Sequence, residues 1–153
     1  MNLLFSAGTA RGGTNFRTLM LNNHSKVVMA IDPFIPLFRL YRDSLLESVG
    51  HPCPRSGVLD DYYFSDEKLA TFDAIQSAEV DIPFDMSDWP ALKESLAARM
   101  SLASMNLVEH LDILPAPTFK QVFRNAVELV WRANGALDQV VLAGFNDNWT
   151  AEF

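Results

Sequence analysis

Near the start of the chain an apolar run, Leu3-Leu4-Phe5, leads into Gly8-Thr9-Ala10-Arg11-Gly12-Gly13-Thr14-Asn15, and a helix-like stretch follows to Asn23. A strand, a glycine-rich loop and a helix in that order constrain the fold more than any other feature of the sequence. Such a loop turns backbone N–H groups toward one point, and the helix behind it adds the positive end of its dipole. The arrangement directs the chain toward an α/β fold that meets an anion at the carboxyl end of its first strand. The spacing approaches that of a nucleotide phosphate loop, with Gly8 and Gly13 at its glycine positions. Thr14, however, stands where a Walker A loop carries lysine, and the positive charge is Arg11, inside the loop.

Around the loop, hydrophobic spacing predicts a series of elements. Residues 2–7 read as a first strand and residues 14–23 as the helix that closes the loop. Asn22-Asn23-His24-Ser25 reads as a turn, and residues 26–31, rich in valine and isoleucine, as a second strand. Asp32-Pro33 ends that strand, because proline holds its predecessor in extended geometry. With Pro36 one turn in, Leu37, Phe38, Leu40, Tyr41, Leu45 and Leu46 are spaced as a helix over 37–49. Gly50-His51-Pro52-Cys53-Pro54-Arg55-Ser56-Gly57 is a loop by composition, and a short helix is expected from Asp66 onward.

Ser87-Asp88-Trp89-Pro90 carries the polar cap and early proline of a helix start, and apolar spacing extends that helix to about Leu111. Pro115-Ala116-Pro117 breaks the chain. Thr118 then caps a helix over 119–133, in which Phe119, Phe123, Val127 and Trp131 share a core face, and Asn134-Gly135 closes it. Residues 139–145 form a third candidate strand, and residues 144–153 a polar and aromatic tail. The order βαβα, helices, then β predicts a three-layer α/β fold with a parallel sheet, as one domain over residues 1–153. Three strands leave poorly covered edges, so the domain is expected to be the front part of a larger one.

Composition narrows the class. Hydrophobic content of 49% with 20% charged residues describes an ordinary globular protein, and the formal net charge of -7 speaks against general nucleic-acid binding. The first 57 residues hold six Lys/Arg and three Asp/Glu, a balance of +3, whereas the remainder holds six and sixteen, a balance of -10. An anionic ligand in the loop half and plain unevenness of surface charge both account for that split. Cys53 is the single cysteine, which fits a reducing compartment, and a cytoplasmic location is the expectation. No stretch has the length and apolarity of a membrane span, and the N-terminal apolar run is too short for a signal peptide.

The loop after the first strand and Asp32 after the second both fall at carboxyl ends of parallel strands and can face one cleft. A phosphate-type group in the loop would take N–H bonds from Gly12, Gly13, Thr14 and Asn15, with the Thr14 hydroxyl as a further donor. Arg11 supplies charge and a multi-donor fork. Asp32 is then an acceptor near the transferred group, where a general base belongs, although aspartate before a helix is also an ordinary cap. Among the remaining candidates, Arg17 reads as an exposed helix residue and His24 as a turn or packing residue. His51 lies in the proline-rich loop, and His110 suits a helix C-terminus. Tyr62-Tyr63-Phe64 fits either an acceptor pocket or a buried edge strand.

These residues carry a family resemblance. Residues 6–40 resemble the N-terminal part of a sulfotransferase that uses 3′-phosphoadenosine 5′-phosphosulfate (PAPS). The family's 5′-phosphosulfate loop reads approximately G-x-x-[RK]-[SG]-G-T-[TSN], here Gly8 to Asn15. Its helix ends in a leucine-rich turn with histidine, here Leu19-Met20-Leu21-Asn22-Asn23-His24. In the tyrosylprotein branch, and similarly in several carbohydrate branches, a glutamate near the end of the second strand is the proposed base. Without gaps that position is Asp32, one methylene shorter. Gln139-Val140-Val141-Leu142-Ala143-Gly144-Phe145 with Trp149 is similar to a later strand of the family, with Phe145 and Asn146 where lysine often follows glycine. The arginine and serine with which the family binds the 3′-phosphate have no counterpart here, so the resemblance implies a partial or truncated enzyme.

The resemblance implies transfer of a sulfuryl group from PAPS to a hydroxyl or amine of a small-molecule, carbohydrate or peptide acceptor, without a metal. Loop N–H groups and Arg11 would stabilise charge on the departing phosphate, and Asp32 would take the acceptor's proton. Two rivals stand beside it: a P-loop nucleotide kinase or NTPase, which Thr14 in the lysine position opposes, and a non-catalytic module that keeps the fold for interaction. Acceptor identity and oligomeric state are not readable from these residues.

Overall fold

The computed structural model describes residues 2–6, 13–31, 33–52, 66–101, 106–134 and 142–146. Strand β1 (Asn2–Ser6) leads to helix α1 (Thr14–Asn22), strand β2 (Val27–Ile31) and helix α2 (Ile35–Ser48). Helices α3 (Asp66–Ser77), α4 (Trp89–Met100) and α5 (Phe119–Ala133) follow, before strand β3 (Leu142–Asn146). Short 3-10 helices at Met86–Asp88 and Val108–Ile113 flank α4. The chain is thus α/β, mostly helical, with a parallel sheet of order β1-β3-β2. The last strand pairs with both earlier ones, in a register that aligns Ser6, Asn146 and Ile31 across the sheet.

Local chemistry explains where the helices begin and end. Pro36 falls in the first turn of α2, where its missing N–H has no consequence. The other end closes at Gly50, whose φ of 69° is the left-handed conformation glycine adopts without strain. There the Gly50 N–H donates to the Glu47 carbonyl at 3.0 Å and the His51 N–H to the Leu46 carbonyl at 2.9 Å, the paired bonds of a Schellman stop. Thr118 caps α5, its hydroxyl accepting from the Gln121 N–H at 3.4 Å. The Phe119 N–H also donates to the Ile82 carbonyl and the Phe84 N–H to the Pro117 carbonyl, so an antiparallel bridge pins the start of α5.

The core lies between the sheet and the later helices. Val28 and Ala30 of β2, Ala143 and Phe145 of β3, Phe34, Leu37 and Leu45 around α2, Leu96 of α4, and Val122, Ala126 and Val130 of α5 share one buried cluster. Phe34 stands edge-on to Phe145 at 4.7 Å between centroids, and Phe38 meets Phe123 at 5.0 Å, geometries that aromatic quadrupoles favour. Phe119 and Val127 are buried, with Phe123 and Trp131 packed against the cluster, as helical spacing predicts. Arg42 of α2 is also buried, and its guanidinium holds the Asp43 carboxylate at 2.7 Å. A charge removed from water needs such a partner.

Two sequence expectations are corrected. The helix expected from residue 89 to Leu111 ends at Met100, and Val108–Ile113 forms a separate 3-10 helix, so His110 does not sit at the end of that long helix. Leu107, Leu111 and Leu114 are all buried at helix-like spacing, which is why periodicity alone joined the two segments. The third strand runs one residue further than expected, to Asn146, and residues 139–141 of the expected strand lie outside the described residues. Tyr62, Tyr63, Phe64, Cys53 and the tail after Asn146 lie outside the described residues.

Candidate functional site

The carboxyl edge of the sheet is formed by the ends of the three strands. Ser6 ends β1 and Ile31 ends β2, level with each other on either side of Asn146. At the usual strand spacing the two ends are about 10 Å apart. In sequence, residues 7–12 follow the first end and Asp32 the second. Of the predicted site residues, Arg11, Gly12 and Asp32 lie outside the described residues, together with Gly8, Thr9 and Ala10. Gly13, Thr14 and Asn15 are described, and they form the start of α1.

Gly13 is the N-cap of α1, with φ 76° and ψ 18°. A side chain built there would meet no atom within 4 Å, so the demand for glycine comes from the left-handed backbone and not from crowding. The first bond of the helix runs from the Arg17 N–H to the Gly13 carbonyl at 3.0 Å. The N–H groups of Thr14, Asn15 and Phe16 therefore precede the helical ladder and point out of its end. Gly13 as N-cap has no side chain to cap this end, and no acidic residue stands in the first turn. A free acidic side chain there would compete with an anion for the same dipole. A helix start without acidic side chains suits an oxyanion.

Helix α1 faces the sheet with polar groups. Thr18 is fully buried, and its hydroxyl has no hydrogen-bond partner. Asn22, one turn on, reaches β2: its side-chain oxygen accepts from the Met29 N–H at 2.7 Å and its side-chain nitrogen donates to the Met29 carbonyl at 2.8 Å. That amide occupies an edge position of the sheet as a neighbouring strand would. Phe16, Leu19 and Met20, on the opposite side, are 69%, 57% and 58% exposed. His24 completes the turn into β2, its Nδ1 accepting from the Lys26 N–H at 3.2 Å and its carbonyl from the Val27 N–H. Thr18 and Asn22 are the residues that sequence reasoning missed. Helical spacing does put Thr18 and Asn22 opposite Phe16, Leu19 and Met20, but hydropathy favours burying the apolar face, so no sequence signal singled out the pair.

Comparison of the chain with family models, with curated proteins and with solved structures gives no match.

Among the described residues, Tyr41 and Asp85 have shifted acidity. Tyr41 donates its phenolic hydrogen to the Val80 carbonyl at 2.7 Å, and burial, with Asp81 nearby, raises its pKa. Asp85 accepts the Ser87 N–H at 2.8 Å, and this bond holds its carboxyl below the usual range. Both are local supports, one tying α2 to the segment before α4 and the other capping a 3-10 turn. Among the described residues no group of three or more His, Cys, Asp or Glu side chains is placed to hold a metal. Nor is any described helix long and apolar enough to cross a membrane.

Proposed function

We propose that the chain carries the 5′-phosphosulfate end of a PAPS-dependent sulfotransferase. The observation that carries this reading is the join of sequence and geometry at Arg11-Gly12-Gly13-Thr14-Asn15. The last glycine is left-handed, it caps a helix free of acidic residues in its first turn, and the only cation of the motif is an arginine where lysine of a nucleotide loop is missing. The first-turn N–H groups and Arg11 would hold the oxygens between phosphate and sulfate.

The chemistry follows from that placement. The acceptor oxygen bonds to sulfur, the bond from sulfur to the bridging phosphate oxygen breaks, and the acceptor proton passes to the Asp32 carboxylate. Adenosine 3′,5′-bisphosphate leaves, with its growing charge stabilised by donors already oriented for it.

A three-layer fold belongs to the same proposal. The chain crosses the sheet one way from β1 to β2 and returns from β2 to β3. Right-handed crossovers put the connecting helices of opposite moves on opposite faces. On that reading α1 covers one face and α2 to α5 the other. The burial of Met29, which alternates with Val28 and Ala30 along β2, supports it.

The test is sulfuryl transfer from PAPS to a panel of hydroxyl and amine acceptors, with Arg11→Ala and Asp32→Asn as variants. Arg11→Ala is expected to lose both donor binding and turnover. Asp32→Asn is expected to lose turnover and keep adenosine 3′,5′-bisphosphate binding. Full turnover in either variant removes that residue from the mechanism, and magnesium-dependent ATP binding in place of PAPS binding overturns the proposal.

A further inference from the structure

The hydroxyl of Thr18 is fully buried without a partner, in a helix whose N-terminus is the proposed anion site. Threonine inside a helix ordinarily satisfies its hydroxyl on the carbonyl one turn back, here that of Thr14. Thr18 does not. Burying a hydroxyl unpaired is unfavourable, and orphans of this kind mark places where a water or ligand belongs.

Direction and reach suggest which. Side chains on a helix lean toward its N-terminus, so Thr18 overlies the turn that begins at Thr14. The rise from residue 14 to 18 is about 6 Å. The lean shortens that gap, and a single water with two bonds of about 2.8 Å spans what is left to an oxyanion at the helix end. Direct contact is out of reach at this spacing.

We infer that Thr18 is a positioning residue of the anion site, its hydroxyl holding a buried water that in turn holds the bound oxyanion against the start of α1. The inference rests on the phosphosulfate reading for the identity of the ligand, but the orphaned hydroxyl is independent of it. In the absence of anion the hydroxyl is a burden on folding; with anion bound it gains its partner. Stability and affinity are thus set against each other at one atom.

Thr18→Val and Thr18→Ser separate the roles. Valine keeps the shape and removes the hydroxyl; serine keeps the hydroxyl. Thermal unfolding without ligand and calorimetric titration with adenosine 3′,5′-bisphosphate and with inorganic pyrophosphate are measured for each. Thr18→Val is expected to unfold at the wild-type temperature or above, and to bind the anion about five- to tenfold more weakly, the size of one lost hydrogen bond. Thr18→Ser is expected to bind as wild type.

Wild-type affinity in Thr18→Val overturns the inference, as does an equal loss of affinity in both variants. If the wild type binds pyrophosphate and not the bisphosphate, the PAPS reading falls, and the pyrophosphate ratio of wild type to Thr18→Val still decides the role of Thr18. If the wild type binds neither, both fall.

Discussion

Replacing Asn22 with alanine tests how the candidate edge is held in place. The side chain makes two hydrogen bonds to one residue of β2, at 2.7 and 2.8 Å to the Met29 N–H and carbonyl. Each is worth about 1 kcal/mol net, and alanine returns a few tenths through its better helix propensity. The expected loss is about 1.5 kcal/mol. For a chain of 153 residues the unfolding entropy is about 0.3 kcal/mol per degree, so the midpoint falls by about 5 °C. The assay is urea and thermal denaturation beside Asn23→Ala, an exposed neighbour expected to change stability by less than about 0.5 kcal/mol. Amide exchange adds a local readout: the Met29 N–H should lose protection while the core amides of α5 keep theirs in proportion to global stability. A midpoint within a degree of wild type, with Met29 still protected, refutes the idea that the amide seals β2.

Two further perturbations follow from single backbone and charge features. Gly13→Ala forces a side chain onto a left-handed backbone with φ 76°, and should lower stability by about 1 kcal/mol, seen as a lower urea midpoint with an unchanged slope. Asp85→Ala should destabilise the protein only where the carboxylate is charged. The folded pKa lies below the ordinary 3.8, so the contribution is present above that value and disappears as pH falls through the lower folded one. Melting curves of variant and wild type should therefore differ at pH 6 and converge as pH falls below the folded value, and a gap that persists in acid contradicts this origin.

The parts of the fold legible in the sequence are those set by near neighbours. Both ends of α5 could be read because Thr118 and Asn134 act on the adjacent turns. The start of α1 was readable because Gly13 answers a backbone requirement at its own position. Pairing across the sheet was not readable: nothing local to Leu142–Asn146 says that it enters between β1 and β2. That insertion separates the ends of β1 and β2 by a full strand, so the distance between the loop and Asp32 is a tertiary quantity. The orientation of α1 was equally hidden. Local hydropathy would turn Phe16, Leu19 and Met20 inward, but the Asn22 pairing with β2 sets the opposite face against the sheet. The 3-10 segment at Val108–Ile113 escaped because buried leucines at helical spacing do not distinguish one continuous helix from two anchored pieces.

Calorimetric titration of the wild type and Arg11→Ala with adenosine 3′,5′-bisphosphate, with magnesium-ATP as the parallel titrant, tests the central claim most directly. The proposed site predicts saturable binding of one bisphosphate per chain, independent of magnesium and weakened at least tenfold by Arg11→Ala. Binding of magnesium-ATP in preference, or bisphosphate binding that Arg11→Ala leaves unchanged, contradicts it.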